Sequence, residues 1–524
     1  MMEEITCKPD YSNSMAEHLG IRFLPPTENA VHAEMPVDHR TSQPFGMLNG
    51  GASLALAEIV AGHGSMSLCR EGEYACGVQV SGNHLSAVPV GGKVFATGKL
   101  IHRGRSSHIW NIDITTPQGE LVSTVRVVNF ILKKEMNLPD IHTQKLLDCL
   151  THSHLGFALY RLPWTDECYL VLQTSGDVEQ LADIQELNEK KGFVMAPFRI
   201  SEEHPLVLIR PDVTAYDWNE ISEALSSLEC VDTLLTCKSR QNELSPFVSE
   251  ETDKEQYTRA FGRFITPLQE KQFQKLVLSR SSARHIGDDF SPLGAFVRAC
   301  NNYPRMMIYL CHTPASGTWL GSTPEILLSG QGKEWHTVAL AGTMPMQDEV
   351  MPTNWDKKNQ EEQGYVADYI RRIAKKFGNK MTEKGPYTAR AGQLVHLKTD
   401  FYFLLKNTDH IGDLLQELHP TPAVCGLPKE EAFRFILNNE GYDRSYYSGF
   451  TGWLDTEGHT DIYVNLRCME IKPGEAILYA GGGILASSEV ESEWVETGDK
   501  MNTMRSILHP DFISKQMETI KVEE

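Results

Sequence analysis

The first 132 residues show two hydrophobic patterns in succession: helical spacing first, and then the period of two that is typical of strands. Residues Ser14 to Leu19 predict a short helix, and Val31 to Val37 predict a strand. A longer helix is predicted from Asn49 onward, in the segment QPFGMLNGGASLALAEIVAG. The apolar residues that recur there at helical spacing are Ala52, Ala55, Leu56, Ile59 and Val60.

After this helix the hydrophobic period becomes two. Trp110, Ile112 and Ile114 alternate with polar residues, and a turn at 117–119 leads into a second strand, LVSTVRVVNFIL. A helix rich in small residues followed by long antiparallel strands predicts a helix wrapped by a curved sheet. We therefore predict that residues 1–132 form one domain.

A short charged segment separates this domain from the rest of the chain. Residues 133–144, KKEMNLPDIHTQ, contain proline and show no period, so we predict a linker. Residues 145–524 then mix strand-like apolar runs with helical stretches at 358–377 and 429–440. This length and mixture predict two stacked β-sheets with flanking helices, which makes the whole chain an α+β protein with two domains.

Composition narrows the classes of function. The chain has 69 acidic and 49 basic residues, a net charge of −20, which argues against nucleic acid or an anionic membrane as a partner. It contains no apolar run as long as a membrane span, and its first residues lack the features of a signal peptide. Its 11 cysteines include no CxxC pair, which predicts reduced thiols in a cytoplasmic protein.

Gln43, Gly50 and Glu58 form the first candidate site. A helix that begins near Gly50 presents free backbone N–H groups and a positive dipole end, which stabilise an oxyanion. Glu58 follows eight residues later, about 12 Å further along the helix axis. One chain therefore cannot easily direct both groups at one carbonyl, whereas two antiparallel copies of the helix can. The alternative is that these are ordinary surface and helix-start residues.

The segment MPVDHRTSQPFGMLNGGASLALAE resembles the hotdog-fold acyl-CoA thioesterases, especially those that hydrolyse 1,4-dihydroxy-2-naphthoyl-CoA in menaquinone synthesis. The resemblance extends over the first predicted domain, including GNH at 82–84 and HRGRSSHIWNI at 102–112. It implies that Gln43 positions substrate or water and that the Gly50 N–H polarises the thioester carbonyl. It also implies that Glu58 is the nucleophile or general base.

Three further positions bear on this first site. The resemblance implies that His84 lines the acyl pocket. Asn49 stands where the family usually has His, and it keeps a donor toward the substrate without a titratable imidazole. Gly62 stands where the family often has Ser or Thr. A hotdog domain kept for dimerisation or binding is therefore the alternative to an active thioesterase.

Acidic and glycine-rich segments of the long domain form the second candidate site. Glu362, Glu493 and Glu496 offer carboxylates of the kind that Mg²⁺ prefers. The glycines 481–483 let backbone N–H groups approach an anion closely. Lys275 lies in an apolar strand, where burial favours the neutral amine that acts as a base. Each feature also has a plain alternative: solvated carboxylates, an ordinary glycine turn and an edge-strand lysine that reaches solvent.

Residues 150–515 resemble the chorismate-utilising enzymes. The matching blocks are FQKLVLSRS, WLGSTPEILLS, ALAGTMP, HLKTDF, HPTPAVCGLPKEEAFRFI, YYSGFTGWLD, DIYVNLRCMEI and YAGGGILASSEVESEWVETGDK.

Roles in this second site follow from that resemblance, position by position. Lys275 would activate water for attack at C2 of chorismate, and Glu325 would protonate the departing C4 hydroxyl. Glu362 and Glu496 would bind Mg²⁺, with Glu493 in its outer shell. The residues implied to hold or surround the substrate are Arg467, Lys500, Gly482, Gly483, Tyr463 and His396.

Two positions bear on the product. Members of the family that use ammonia commonly carry different residues at the segment occupied here by HPTPAVCG. With the small Ala423 there and Lys275 present, the resemblance implies water as the nucleophile and therefore isochorismate as the product. Gln363 stands where the family usually has His beside the metal-binding Glu362. Salicylate or an aminated product is the alternative.

The two resemblances name two steps of one pathway. They imply a bifunctional menaquinone enzyme with Mg²⁺ as cofactor, and with chorismate and an aromatic acyl-CoA as substrates. We expect a homo-oligomer formed through the hotdog domain, because its site needs two chains.

Overall fold

The structure is a computed structural model of the 524-residue chain. It describes residues 11, 14–27, 30–69, 73–104, 107–133, 136–228, 250–287, 289–346, 354–392 and 394–508. The chain divides into two compact units, Met1–Glu135 and Met136–Glu524. The division falls within the segment 133–144, whose later residues begin a helix of the second unit, Ile141–Leu150.

The first unit is one long helix against one antiparallel sheet. Its helices are α1 (Met15–Leu19) and α2 (Gly50–Met66), and its strands are β1 (Arg22–Thr27), β2 (Ala30–Pro36), β3 (Glu73–His84), β4 (Lys93–Arg103), β5 (Ser107–Thr115) and β6 (Leu121–Lys133). The strand order is β1-β2-β4-β5-β6-β3, so β3 lies at one edge. This confirms the predicted helix wrapped by a sheet.

Small residues let α2 lie close to this sheet. Leu56, Ala57 and Val60 of the helix are fully buried against it. A side chain at Gly64 would place its Cβ 2.6 Å from Trp110, which is closer than carbon atoms can approach. The helix begins where Asn49 accepts a hydrogen bond from the Gly51 N–H at 2.8 Å.

Helices of the second unit agree with the helical stretches predicted from the sequence. They are α3 (Ile141–Leu150), α4 (Asp217–Ser226), α5 (Glu250–Gln269), α6 (Pro292–Asn302), α7 (Lys357–Phe377), α8 (Ile411–Leu418), α9 (Lys429–Asn439) and α10 (Val490–Leu508), with a 3₁₀ turn at Ile184–Leu187. None of the helices in the described ranges is long and apolar enough to cross a membrane.

Within the described ranges, the strands of the second unit form two nine-stranded sheets. Their bounds are β7 (Gly156–Arg161), β8 (Tyr169–Gln173), β9 (Glu179–Leu181), β10 (Lys191–Ala196), β11 (Leu206–Ile209), β12 (Val213–Tyr216), β13 (Lys275–His285), β14 (Met307–Thr313), β15 (Gly317–Thr323), β16 (Ile326–Gln331), β17 (Glu334–Pro345), β18 (Gly378–Ala391), β19 (Leu394–Leu405), β20 (Gly426–Leu427), β21 (Phe450–Asp455), β22 (His459–Val464), β23 (Cys468–Lys472) and β24 (Glu475–Ile484). One sheet has the order β12-β8-β7-β14-β15-β23-β24-β13-β20, and the other has the order β18-β19-β17-β16-β22-β21-β10-β11-β9.

Large side chains fill the space between these two sheets. Phe193 and Tyr463 of one sheet meet Tyr309, Trp319 and Tyr479 of the other in a single core. Separate cores join the outer face of each sheet to the helices. The predicted architecture of two stacked sheets with flanking helices is confirmed.

Candidate active site

A cavity in the second unit brings most of the predicted residues of the long domain together. It encloses about 590 Å³ of space not filled by protein atoms, part of it open to solvent. β13 and β24 pair antiparallel along one wall, with Val277 opposite Gly483 and Leu278 opposite Gly482. The predicted site residues that line it are Glu325, Glu362, His396, Ala423, Arg467, Gly483 and Lys500.

Lys275 and Glu362 form a buried ion pair at this cavity. The Nζ atom of Lys275 lies 3.0 Å from Oε1 of Glu362, and the lysine side chain is 0% exposed. The ammonium makes no hydrogen bond of acceptable angle within the described residues, so the contact is chiefly ionic. A Cβ at Gly483 would lie 2.2 Å from the same Oε1 and 2.9 Å from Cε of Lys275. Only glycine therefore fits between the two side chains and the β24 backbone.

Glu325 is a buried carboxyl group in the same cavity. It lies directly before β16, and burial raises its pKa to about 8, despite the opposing charges of Lys275 and Lys500. Its Oε1 atom has no hydrogen-bond partner in the described part of the chain. At neutral pH this group is protonated and can donate a proton.

Arg467 and His396 form a fixed polar pair. The guanidinium donates to Nε2 of His396 at 2.8 Å, and Nδ1 of His396 lies 2.8 Å from the Gly342 carbonyl. Because a carbonyl only accepts and arginine only donates, the proton of the imidazole is on Nδ1. Burial, with the charges of Arg467 and Lys500, lowers the pKa of His396 well below its ordinary value. Burial also lowers the pKa of Arg467 to about 10, which still leaves it charged.

Glu496 and Glu493 both approach Gly482. A Cβ at Gly482 would lie 3.1 Å from Oε2 of Glu493 and 3.4 Å from Oε1 of Glu496. Lys500 donates to Glu496 at 2.7 Å, and Lys358 pairs with Glu493. Burial and the neighbouring Glu496 raise the pKa of Glu493, whereas for Glu496 the effect of burial is outweighed by Lys500 and Lys358, which lower its pKa.

These carboxylates fit a magnesium ion only in part. No three His, Cys, Asp or Glu side chains among the described residues are arranged to hold a metal ion directly. Glu362, Glu493 and Glu496 each pair with a lysine instead. Oε2 of Glu493 has no hydrogen bond of acceptable geometry in the described residues, which leaves an oxygen for another donor or a cation. Mg²⁺ commonly takes one or two carboxylates plus substrate oxygens, so two of the three suffice.

Four predicted residues lie beside the cavity without lining it: Lys275, Gly482, Glu493 and Glu496. A fifth, Tyr463, lies elsewhere, and the structure adds two residues that were not predicted. Tyr463 is buried in the core between the sheets and does not line the cavity. Tyr447 lines it instead, with its hydroxyl 2.8 Å from the position of a Cβ on Gly481. Lys358 precedes Glu362 by four residues on α7, a spacing that places both on one helix face and was available in the sequence. Gln363, the residue after Glu362, donates to the Ala339 carbonyl and to Thr399, both at 3.1 Å.

In the first unit, Gly50 and His84 lie together. Gly50 is the first residue of α2, and a Cβ there would lie 2.6 Å from Nε2 of His84. Nδ1 of the same imidazole is 2.9 Å from the hydroxyl of Ser123. Asn49 caps the helix through Gly51, so its side-chain oxygen is engaged by the backbone. The N–H groups of this first helical turn have no acceptor within the helix.

Glu58 lies two turns further along α2, away from Gly50. It is exposed, and its Oε1 lies 2.4 Å from where a Cβ on Gly77 of β3 would be. Gln43 lies before the helix, where its backbone N–H donates to Met47 at 2.8 Å. One copy of the chain therefore keeps Glu58 and Gly50 at separate places on the helix, as the eight-residue spacing predicts.

Comparisons with known proteins follow the same division of the chain. The family model described as chorismate binding enzyme matches residues 184–509, more than half of the chain. The model described as thioesterase superfamily matches residues 45–123.

Individual relatives agree with the longer match. The chain is 31% identical over 264 residues to the salicylate biosynthesis isochorismate synthase of Pseudomonas aeruginosa, covering 49% of this chain and 55% of that one. It is 28% identical over 298 residues to isochorismate synthase MenF of Escherichia coli, covering 55% and 68%. The chain thus spans about half the length of the curated relatives it matches first.

A solved structure agrees with the fold. The structure of MenF, the menaquinone-specific isochorismate synthase from Escherichia coli, has a TM-score of 0.57 at 22% identity, covering 71% of this chain and 92% of that one. At this identity the likeness concerns the fold. With the family match over residues 184–509, it leads to one conclusion: the chain belongs to the chorismate binding enzyme family, and a thioesterase superfamily segment precedes that region in the same chain.

Proposed function

We propose that the second unit converts chorismate into isochorismate. The observation that carries this proposal is that one cavity brings together a buried lysine, Lys275, which is paired with Glu362, and the protonated carboxyl of Glu325. Replacing one hydroxyl group by another across a conjugated ring system needs both a base and an acid. The likeness to isochorismate synthases adds support.

The reaction moves one hydroxyl group in and another out. To act as the base, Lys275 first gives to solvent the proton that it carries in the pair with Glu362. Its neutral amine then takes a proton from water, and the oxygen of that water forms a bond to C2 of chorismate. Both conjugated ring double bonds shift by one position, from C1=C2 to C1=C6 and from C5=C6 to C4=C5, and the bond between C4 and its hydroxyl breaks. Glu325 gives its proton to the departing hydroxyl, which leaves as water. The product is an isomer of the substrate, and a proton returned from Lys275 to Glu325 through solvent restores both groups.

Cationic side chains on the cavity wall are suited to hold the two carboxylates of the substrate. Arg467 is held in place by its hydrogen bond to His396. Lys500 donates a hydrogen bond to the Gly481 carbonyl at 2.9 Å, which places its ammonium beside the glycine-rich strand. The backbone N–H groups of Gly482 and Gly483 would complete the grip. Ala423 leaves room beside the ring.

Magnesium would be held by Glu362 and Glu496, with Glu493 in the outer shell. The ion would supply positive charge beside the ring carboxylate as the two double bonds shift.

The test is incubation of the full chain with chorismate and MgCl₂, followed by liquid chromatography and mass spectrometry. We expect isochorismate, lost when the metal is chelated and lost in Glu325→Gln. Salicylate as the product, or an aminated product in the presence of ammonium, would contradict the assignment of water as the sole nucleophile. No turnover would contradict the proposal as a whole.

We further propose that the first unit hydrolyses an aromatic acyl-CoA, with 1,4-dihydroxy-2-naphthoyl-CoA as the preferred substrate. The start of α2 at Gly50, with His84 against it, provides N–H groups for the thioester carbonyl. Glu58 supplies the nucleophile or base, and Gln43 positions the substrate or water. The combination of both activities makes the chain a bifunctional enzyme of menaquinone synthesis, which we place in the cytoplasm.

This second activity requires a homo-oligomer. Gly50 and Glu58 lie two helical turns apart, so Glu58 from one copy must serve Gly50 of another. The edge strand β3 contains no fully buried residue, and it is available to pair with a second copy.

Thioester hydrolysis by the full chain is the measurement, with Glu58→Ala as the inactive variant and isochorismate formation as the internal control. Sedimentation tests the assembly. A monomer that hydrolyses the thioester would contradict the shared site. A dimer without hydrolysis would favour a domain that only dimerises.

A further inference from the structure

Lys358 lies beside the second site but has no part in the reaction described above. It is in the first turn of α7, four residues before Glu362. Its ammonium pairs with Glu493 of α10. The lysine side chain is 23% exposed and that of Glu493 only 1%, so the pair is largely withdrawn from water. In such surroundings, charges act on one another strongly.

Each of the three carboxylates near the glycine-rich strand lies against a lysine. Three carboxylates and three ammonium groups form one-to-one pairs: Glu362 with Lys275, Glu496 with Lys500, and Glu493 with Lys358. A divalent cation that enters this set meets carboxylates whose charge is already offset. Two of the three lysines have roles in the proposed chemistry, and Lys358 is the third.

Lys358 is influenced by all three carboxylates. Burial favours the neutral amine, but the three carboxylates outweigh burial and favour the ammonium form. Lys358 is therefore a cation at the edge of the carboxylate group, in contact with Glu493.

We propose that Lys358 is a positioning residue that sets the affinity for the divalent cation: it holds Glu493 in place and weakens cation binding by its own charge. The inference rests on the proposed function, because the cation is the Mg²⁺ of that reaction. Glu493 would be shared between Lys358 and a bound cation. Because Lys358 keeps the affinity of the free enzyme for the cation low, a substrate carboxylate beside the ion would raise that affinity, so that metal and substrate would favour one another's binding.

Lys357 provides a matched control. It is the neighbouring lysine in the same turn of α7, but its side chain is 90% exposed and pairs with the half-exposed Glu361. Removing its charge changes the formal charge of the chain as much as removing that of Lys358. Solvent screens an exposed charge of this kind.

The experiment is calorimetric titration of the full chain with MgCl₂ alone, at alkaline pH, where the carboxylates are ionised. We expect Lys358→Met to bind Mg²⁺ about tenfold more tightly than the natural chain, because a nearby positive charge is gone. Lys358→Arg keeps the charge and should bind like the natural chain, as should Lys357→Met. The rise in melting temperature on adding Mg²⁺ provides a second readout and should be larger for Lys358→Met.

Removal of one partner of a buried pair can prevent folding. The second comparison is therefore between the single variant Glu493→Gln and the double variant that also carries Lys358→Met. Neither variant leaves an unpaired carboxylate at position 493. The double variant should bind Mg²⁺ more tightly than Glu493→Gln alone.

Equal or weaker binding by the variants that lack Lys358 would overturn the role given to this lysine, while the proposed reaction would stand. Absence of Mg²⁺ binding in every form would overturn the metal assignment of the proposed function, and the role of Lys358 with it. Isochorismate formation, measured on the same samples, separates a failure of the metal site from a failure of the reaction.

Discussion

Arg467 donates a hydrogen bond to Nε2 of His396 at 2.8 Å, and this contact joins two side chains that are both almost fully buried. Arg467 adopts a backbone φ of 47°, in the left-handed region that few non-glycine residues occupy. The imidazole, fixed in turn by the Gly342 carbonyl, therefore holds the guanidinium in a single orientation toward the cavity. A neutral histidine serves here as a support for a cation.

Loss of that support should weaken substrate binding. In His396→Ala the buried guanidinium loses an acceptor, which costs about 1–3 kcal/mol. We expect the KM for chorismate to rise roughly tenfold or more, with a smaller effect on kcat. Steady-state kinetics of isochorismate formation measure both. His459→Ala is the control, since that histidine is exposed and pairs with Asp461; an equal rise there would show that the effect is not specific.

The pH dependence of isochorismate formation should reflect Glu325. Its pKa is raised to about 8 by burial, so the acid form is complete at lower pH and is lost as the pH rises through that value. The rate of isochorismate formation should therefore fall on the alkaline side, around pH 8. In Glu325→Gln the remaining rate, measured at high enzyme concentration, should lack this decline. A natural enzyme with constant activity well above that pH would rule out Glu325 as the acid.

A methyl group at position 483 should abolish activity. The Cβ of Gly483→Ala would lie 2.2 Å from Oε1 of Glu362 and would force apart the pair with Lys275. We expect loss of isochorismate formation together with a lower melting temperature. Gly364→Ala is the matched control on α7, where no atom lies within 4 Å of the new Cβ. That change should leave activity intact and stabilise the helix by about 0.5–1 kcal/mol. Equal activity of the two variants would refute the close approach at position 483.

Stability should depend strongly on Arg444. Its guanidinium pairs with the buried Glu440 at 2.6 Å and donates to the carbonyls of Val277 and Val424, which line the cavity from two segments. Arg444→Met should lower the free energy of unfolding of the second unit by about 3–5 kcal/mol, because Glu440 is left charged and unpaired. Thermal unfolding measures this loss. Glu440→Gln added to Arg444→Met should recover part of it, and no recovery would contradict the ion-pair explanation.

Much of the fold could be predicted from periodicity. The small apolar residues after Asn49 indicate the helix α2, and the alternation around Trp110 indicates the strand β5, because both periods arise from burial of one face. The order of strands within the sheets could not be predicted this way. It depends on which distant segments pair, and a local pattern carries no information about that.

The candidate site was predictable to a similar degree. The residue types of Lys275, Glu325 and Glu362 and their sequence blocks allowed their selection, and all three lie at one cavity or in direct contact with it. Tyr463 illustrates the limit. Alternation along β22 places it opposite to Ile462, but only the packing of the two sheets determines that its face is the closed core. The pairing of Lys358 with Glu493 likewise depends on the approach of two helices that are far apart in sequence.

The exposed edge strand β3 of the first sheet makes the chain prone to aggregation until that edge is covered. β3 is 12 residues long, carries no fully buried residue, and includes the exposed Val78 beside an irregularity at Gly77–Gln79. An uncovered strand of that length is a template for unrelated strands, and so a risk of aggregation. At low concentration a newly made chain meets a second copy slowly, so its β3 strand stays unpaired, and at risk, for longer. Pairing of β3 with a second copy, as the proposed shared site requires, would cover this strand and remove that risk.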